Sequence, residues 1–368
     1  MRALLLRLSA ALICCLYVHA DQVDPTHLRT EAGISMNDGL DYLASVQGPK
    51  GGWNEDFGPP ITALVVKAFA QSEKFGRNHE ITRRGLEFIR TYAKDDGGIY
   101  HEGFNNYSTS VCLMALVAAG DPADNERIAD AQNYLRRLQW DEGEGIEMEN
   151  DWYGGAGYGR GQRPDLSNLQ LMLDALHDSG VSHDDPAFER AMVFITRCQN
   201  LGRTNTDQAW ARGVQDGGFV YTCANGGESK AGDENADDGT KHLRSYGAMT
   251  YAGFKSMLYA GLNRNDPRVV AARKWISRHY DLSQNPNMDQ QGLYYYYHTF
   301  ARALNASGDA VITDGKGQDH NWAADLCGAL IERQREDGSW VNLQDRWMEG
   351  SVDLVTAYCI LALQEALR

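Results

Sequence analysis

Three things are missing from this 368-residue chain, and each narrows what it can do. It has no basic excess, since 35 Lys and Arg stand against 50 Asp and Glu for a formal charge of −15. That balance argues against nucleic acid or an anionic membrane surface as partner. No stretch after the first twenty residues is apolar enough to span a bilayer, so no membrane span is expected. The cysteines are the third shortfall. Five of the seven, Cys112, Cys198, Cys223, Cys327 and Cys359, lie beyond the N-terminal leader, an odd set mostly inside apolar helical segments. Buried thiols fit that pattern better than a disulfide framework. Cys223, in a glycine-rich loop, is the candidate for reactivity.

The leader itself is informative. Arg2 and Arg7 flank and enter an apolar run over 3–17, which ends in Val18-His19-Ala20 before Asp21. A basic start, a short apolar centre and a small-residue cleavage site read as a secretory signal over 1–20, placing the mature protein outside the cell or in the periplasm. The run is shorter than the roughly 20 residues of a membrane span. Without it the formal charge becomes −17, from 33 basic and 50 acidic residues. What remains is an N-terminal segment, 21–30, and a region from 31 to 368 long enough for one large domain.

One sentence recurs along that region. Glycine turns stand at Gly51-Gly52-Trp53, Gly97-Gly98-Ile99, Gly157-Tyr158, Gly217-Gly218-Phe219, Gly292-Leu293 and Gly338-Ser339-Trp340. Helical patterns precede them at about 36–46, 81–92, 127–138, 186–197, 267–279 and 322–333, with apolar residues three and four apart, as in Leu86 and Ile89 or Leu326 and Leu330. The helices that follow share another register. Thr62, Thr109, Leu169, Thr250, Tyr297 and Thr356 are each followed six residues on by a small residue and then a large apolar one, such as Ala68-Phe69 or Ala362-Leu363. Several of this second set are apolar nearly all round, which requires burial on every side, whereas the first set is amphipathic.

Twelve helices, alternately outer and inner, predict an all-α (α/α)6 toroid of six helical-hairpin repeats. An open solenoid would need polar caps at both ends. None is visible, and the last inner pattern stays apolar to Leu367, which favours a ring closed against the first repeat.

The residues at these turns resemble a known family. Gln47-x3-Gly51-x-Trp53 and Gln334-x3-Gly338-x-Trp340 match the core of the QW motif of squalene and oxidosqualene cyclases, with weaker versions at Gln139-Trp140 and at Gln199. The glycine–aromatic turn before an inner helix is similar to that of protein prenyltransferase β subunits. The resemblance covers essentially 31–368 and implies the terpenoid cyclase and prenyltransferase type of toroid. Physically, the Gln can tie an outer helix end to the next turn and the Trp can stack there, a structural role.

The chemistry of those relatives maps less completely. The resemblance to squalene-type cyclases implies a proton-donating Asp in an Asp-x-Asp-Asp motif; here the nearest stretch is Asn235-Ala236-Asp237-Asp238, so Asp237 would be the acid. The competing reading is a solvated hydrophilic loop. The chain is also about half the length of two-domain cyclases. Resemblance to prenyltransferases implies zinc on Asp, Cys and His, but Asp325-Leu326-Cys327 lies in an outer helix with no later His, so no metal or other cofactor is expected. The Cys-Gly-Glu-Gln stretch of thioester relatives is absent.

Toroid geometry supplies the remaining candidates. First turns of inner helices line the mouth of a central cavity, which groups Tyr107, Asp165, Asn168, Tyr246, Tyr294 and Tyr297 as ligand-binding candidates. Of the four consecutive tyrosines 294–297, successive side chains about 100° apart cannot all face the cavity. His298 and Asp353, in adjacent repeats, are candidates for a proton-transfer pair; alternatively Asp353 caps its helix and His298 is a packed core residue. The glycine-rich stretch 152–158 and the insertion 202–242 are expected as loops over the mouth. Three functions are compatible: an isoprenoid-binding cyclase-like or prenyltransferase-like protein, a carbohydrate-active barrel, or a non-catalytic binding module. An apolar aromatic cavity would favour the first, and a wet cleft with two facing carboxyls the second.

Overall fold

The computed structural model describes residues 25–235 and 239–368, and the leader and Asp237 fall outside them. Among the described residues twelve α-helices alternate between two concentric rings. The outer ring is α1 (Pro25–Ser45), α3 (Glu80–Arg90), α5 (Asn125–Arg136), α7 (Pro186–Arg197), α9 (Pro267–Arg278) and α11 (Trp322–Arg333). The inner ring is α2 (Pro59–Ala70), α4 (Asn105–Ala119), α6 (Leu166–Asp178), α8 (Gly247–Tyr259), α10 (Leu293–Ser307) and α12 (Val352–Ala366). Two three-residue hairpins, β1 (Asp233–Asn235) with β2 (Lys241–Leu243) and β3 (Val311–Thr313) with β4 (Asp319–Asn321), decorate the loops.

The ring closes. Each inner helix packs on the next, and α12 returns to α2 while α1 packs on α11 and α12. Gln364 on α12 donates to the Ala68 carbonyl of α2 at 2.8 Å, across the seam. The first outer helix begins earlier than the periodicity suggested, at Pro25, and takes in part of the expected N-terminal segment. Ala32, Leu40 and Leu43 carry its buried stripe, with Leu28 packed beside it.

The repeated turns draw on one set of four bonds, complete in repeats one and six and partial in two, three and four. Gln47 donates to the Gly51 carbonyl (2.8 Å) and to Ile81 at the start of the next outer helix (2.9 Å). Gln139 does the same to Gly154 and Ala187, Gln199 to Gly217 and Arg268, and Gln334 to Gly338 and Ser35. The last of these ties repeat six to repeat one. Thr62, Thr109, Thr250 and Thr356 each accept the backbone N–H of the turn residue, Trp53, Ile99, Phe219 or Trp340, so the inner helix fixes the turn. The indoles donate to carbonyls of their own outer helices, Trp53 to Leu43 and Trp340 to Leu330, both at 2.8 Å. Each indole lies on a glycine of the next outer helix. A Cβ on Gly39 would stand 2.7 Å from the Trp340 ring, and one on Gly85 would stand 3.2 Å from Trp53.

Two turns differ from the sequence reading. In repeat three the Gln139 partner is Gly154, whose φ of 76° and close approach to Arg190 make it the equivalent glycine in place of Gly157. Gly292 instead precedes α10 in a left-handed conformation, φ 63°. Cys223 is fully buried, its thiol donating to the Asp151 carbonyl at 3.2 Å. All five described cysteines are buried free thiols. Among the described residues no helix is long and apolar enough to cross a membrane, and no cluster of His, Cys, Asp and Glu could hold a metal ion. Asp325 pairs with His320 (3.0 Å) and Tyr280 (2.9 Å), while Cys327 is buried in the core.

Candidate functional site

The N-terminal ends of the inner helices surround a cavity of about 300 Å³. Ile61, Tyr107, Asn168, Leu171, Met249, Tyr295, Leu354 and Tyr358 form its body. Loops add Phe57, Phe104, Tyr158, Tyr221, Lys230 and Trp347 to Glu349 at the rim. The glycine-rich stretch and the insertion of repeat four thus reach the mouth through Tyr158, Tyr221 and Lys230. Ring contacts knit the rim together: Phe104 stands 5.6 Å from Phe57 and 5.2 Å, edge-on, from Tyr158. Phe104, Trp347 and Met348 hold positive φ angles of 43°, 60° and 65° and remain substantially exposed. Such backbone strain costs of order 1–3 kcal/mol per residue and recurs where ligands are clamped.

Two buried carboxyls accompany the aromatic wall. Glu349 accepts the Tyr295 N–H at 2.7 Å and the Asn342 amide at 2.6 Å, closing the N-terminus of α10. Burial raises its pKa to about 7, against those hydrogen bonds, so it holds a proton through mildly acidic pH. Asp165 caps α6, accepting the Asn168 backbone N–H at 2.9 Å and its side-chain amide at 2.8 Å. Burial lifts it to about 6, with the Asn168 bonds and Tyr221 pulling the other way. The Asn168 side-chain oxygen, Oδ1, is buried at the cavity wall without a hydrogen-bond partner, whereas its backbone carbonyl accepts from Asn106 at 3.3 Å.

Below Tyr295 the axis is charged. The Tyr295 hydroxyl meets Ser167 and the Gln170 amide, both at 3.0 Å, and Gln170 accepts from Lys255 at 2.6 Å. Lys255 also pairs with Asp174 at 2.6 Å. Arg302 and Lys67 both clasp Asp178, at 2.9 Å each. This plug separates the aromatic cavity from a second, polar one of about 580 Å³ at the C-terminal ends, walled by Asn305, Glu365 and Arg368. Burial lowers Lys255 to about 8, with Asp174 opposing. Desolvation pushes the Asp178 carboxyl up, but Arg302 and Lys67 outweigh it and hold it well below the usual range.

The sequence candidates separate accordingly. Tyr107, Asn168 and Tyr246 line the cavity, and Asp165 stands directly behind Asn168. Tyr294 and Tyr297 do not reach it. The Tyr297 hydroxyl bonds the Leu282 carbonyl, and Tyr294 packs edge-on against Tyr297 at 5.8 Å. Tyr295 is the member of the run that faces the cavity, beside Tyr358. His298 and Asp353 are not brought together: no hydrogen bond or ion pair joins them. His298 is buried against Tyr358, rings 5.4 Å apart, and burial with Arg302, Lys255 and Lys67 depresses its pKa strongly. Asp353 sits half-buried in the first turn of α12, where, after burial, its charge helps raise the pKa of Tyr42 on α1, while Ser351 caps that helix. Glu349 escaped the sequence reading, and Tyr158 and Tyr221 entered it only within the two stretches expected over the mouth, because each is an isolated side chain in an aperiodic loop.

Known proteins share this ring. The family model for the squalene-hopene cyclase C-terminal domain matches residues 58–210. A squalene–hopene cyclase of Bradyrhizobium diazoefficiens is 28% identical over 185 residues, a match covering 41% of this chain and only 26% of that protein. Among solved structures, a variant of the type II terpene cyclase MstE from Scytonema, in complex with geranylgeranyl dihydroxybenzoate, superimposes with a TM-score of 0.56 at 14% identity, over 94% of this chain and 99% of that one. An inactive variant of the α-1,6-mannanase GH76A of Salegentibacter sp. HEL1_6, in complex with α-1,6-mannotriose, gives 0.58 at 10% identity over 90% and 99%. By fold the chain is an α/α toroid of the kind that both of these enzymes share, and over 58–210 its sequence is similar to the squalene-hopene cyclase C-terminal domain.

Proposed function

We propose that this toroid is exported and binds an isoprenoid-type ligand in the aromatic cavity at the N-terminal ends of its inner helices. The observation that carries the reading is the wall itself. Tyrosines, phenylalanines, methionines and leucines form most of it, and among the described residues Glu349 is the one carboxyl that lines it. A glycosidase needs two carboxyls across a cleft, about 5–10 Å apart depending on mechanism. An apolar pocket with a few polar groups instead suits a hydrocarbon chain, and its volume is at the small end of the roughly 300–1,000 Å³ common for ligand sites. Export rests on the leader at 1–20.

The terpene cyclase likeness supports this reading; the mannanase likeness supports the sugar alternative to the same degree, since both concern the fold alone. Trp347 at the rim provides a direct readout. Farnesol and geranylgeraniol should change its emission saturably, whereas mannotriose should not. Saturable mannotriose binding with no response to either alcohol would reverse the assignment. Native mass spectrometry of protein purified without added lipid offers a second test, through a co-purifying isoprenoid.

A further inference from the structure

A chain of hydrogen bonds runs from a buried cation to the aromatic wall, and elementary chemistry fixes its direction. Lys255, lowered by burial to about 8, is an ammonium at pH 7, and an ammonium only donates. The Gln170 atom that it meets at 2.6 Å is therefore the amide oxygen, which turns the amide nitrogen to the Tyr295 hydroxyl at 3.0 Å. Tyr295 thus receives one hydrogen bond from below, and its hydroxyl also meets that of Ser167 at 3.0 Å. Between them these two hydroxyls carry two hydrogens. One is used in the bond that joins them, and no described residue accepts the other. Ser167 and Tyr295 both line the cavity, so the spare donor belongs to its wall.

The next residue of α6 supplies the complement. The Asn168 side-chain nitrogen donates to Asp165 at 2.8 Å, and a carboxylate only accepts, so the orientation of this amide is fixed as well. Its oxygen, buried at the same wall, has no partner. A buried acceptor left unmet is costly, and a ligand that meets it recovers that cost. Ser167 and Asn168 are consecutive in the first turn of α6, which sets a donor beside an acceptor. The other hydroxyl pair of the wall, Tyr107 with Tyr358 at 3.3 Å, has no amide or cation feeding it.

Resting on the isoprenoid reading above, we propose that Ser167, Tyr295 and Asn168 form a hydroxyl-recognising station inside the aromatic cavity, so that the ligand is an isoprenoid alcohol whose oxygen lies against α6. An alcohol accepts and donates at once, which a hydrocarbon, an ether, an aldehyde or a carboxylate does not. It takes the spare hydrogen of the Ser167–Tyr295 pair and gives its own to Asn168. The chain from Lys255 strengthens that donor, because successive hydrogen bonds in one direction polarise one another. The aromatic and aliphatic remainder of the wall is left to the hydrocarbon part.

Calorimetric titration at pH 7 compares farnesol with the hydrocarbon that carries hydrogen in place of its hydroxyl, each below its solubility limit. Two hydrogen bonds at about tenfold each set an expected preference of about a hundredfold for the alcohol. Ser167→Ala leaves the Tyr295 hydrogen to the ligand, and Tyr295→Phe leaves that of Ser167. Each single variant should therefore keep the preference to within about threefold, whereas the two changes together should not add. The double variant has no donor left and should bind farnesol about tenfold more weakly, with the hydrocarbon unchanged, which also shows that it is folded. Equal affinity of alcohol and hydrocarbon in the wild type, a comparison that needs no variant, overturns the station and spares the isoprenoid reading. An undiminished preference in the double variant does the same. If neither ligand binds, both fall together.

Discussion

Asp178 and Glu349 are both acids set into the interior of the same ring, one at each end, and their pKa values move in opposite directions. Glu349 meets amides and aromatic rings, so desolvation dominates and its pKa rises to about 7. Asp178 meets Lys67 and Arg302, so Coulomb attraction outweighs desolvation and its pKa falls. Burial alone therefore says nothing about the charge of an interior carboxyl; the partner decides it. The N-terminal end of the ring is built to be nearly neutral and apolar, and the C-terminal end to hold paired charges.

The harshest way to break this comparison is to remove a partner from the charged end. Asp178→Ala leaves Lys67, 6% exposed, without its carboxylate, and deprives Arg302 of two bonds. Stranding buried charge in this way costs about 3–5 kcal/mol. Urea unfolding at pH 7 measures it, and adding Lys67→Met should recover part of the loss. A cost below about 1 kcal/mol would put the plug in the class of solvated surface pairs.

The neutral end should respond to pH. A carboxyl whose folded pKa is raised binds more protons folded than unfolded, so stability falls as pH rises between the two values. For Glu349 that window runs from about 4.5 to about 7, and Asp165 adds a lower window ending near 6. Glu349 alone would remove roughly 3 kcal/mol across its window. Asp178 has the opposite sign: its contribution is fully present above the ordinary carboxylate range and is lost only in strong acid, below its depressed pKa. Urea unfolding at pH 4.5, 6 and 7.5 should show a decline in the wild type that is visibly flatter in Glu349→Gln. Equal slopes would mean that Glu349 is ionised throughout.

A smaller effect tests whether the two ends communicate. Tyr295 is the only described residue that both lines the aromatic cavity and bonds Gln170, itself held by Lys255. Tyr295→Phe should cost about 1 kcal/mol, the scale of a lost interior hydrogen bond. The Glu349 pH window should stay in place, since Glu349 bonds the Tyr295 backbone. A displaced window would mean that the plug tunes the mouth electrostatically.

Much of this arrangement was legible in the sequence because repetition is. The glycine turns, the Gln residues and the Thr register mark most of the places where one repeat locks onto the next, repeat five excepted, and the rings follow from which helices are apolar all round. The charged axis was legible too, but went unread. In α6, largely apolar elsewhere, Ser167, Gln170, Asp174 and Asp178 recur at three and four residues, one stripe facing the axis. In α10, Tyr295, His298 and Arg302 form the matching stripe, which singles out Tyr295 from its three neighbours. The rim was not legible in this way. Phe104, Tyr221, Trp347 and Glu349 converge through loops whose course has no period, and nothing local distinguishes Glu349 from any exposed glutamate. Repeat three misled for a simpler reason: its turn offers Gly154, Gly155 and Gly157, and only packing against Arg190 selects the first.

The smallest expected effect concerns His298 and Asp353, which the sequence paired and the ring separates. His298 lies on the α10 stripe with Arg302, and the charges that reach it are Arg302, Lys255, Lys67 and Asp178. Three of those are cations, and they add to burial in favouring the neutral imidazole. Asp353 is absent from that set; burial alone raises its own pKa, and it faces Tyr42 across the seam with α1. Asp353→Asn should therefore leave the His298 titration unmoved in an NMR pH series. Lys67→Met should move it upward, because removing a nearby positive charge makes the imidazolium less costly. A downward shift in Asp353→Asn would mean that the carboxylate stabilises the imidazolium after all. His298 would then belong to the seam between repeats five and six, and the charged end of the ring would lose its reach to the cavity wall.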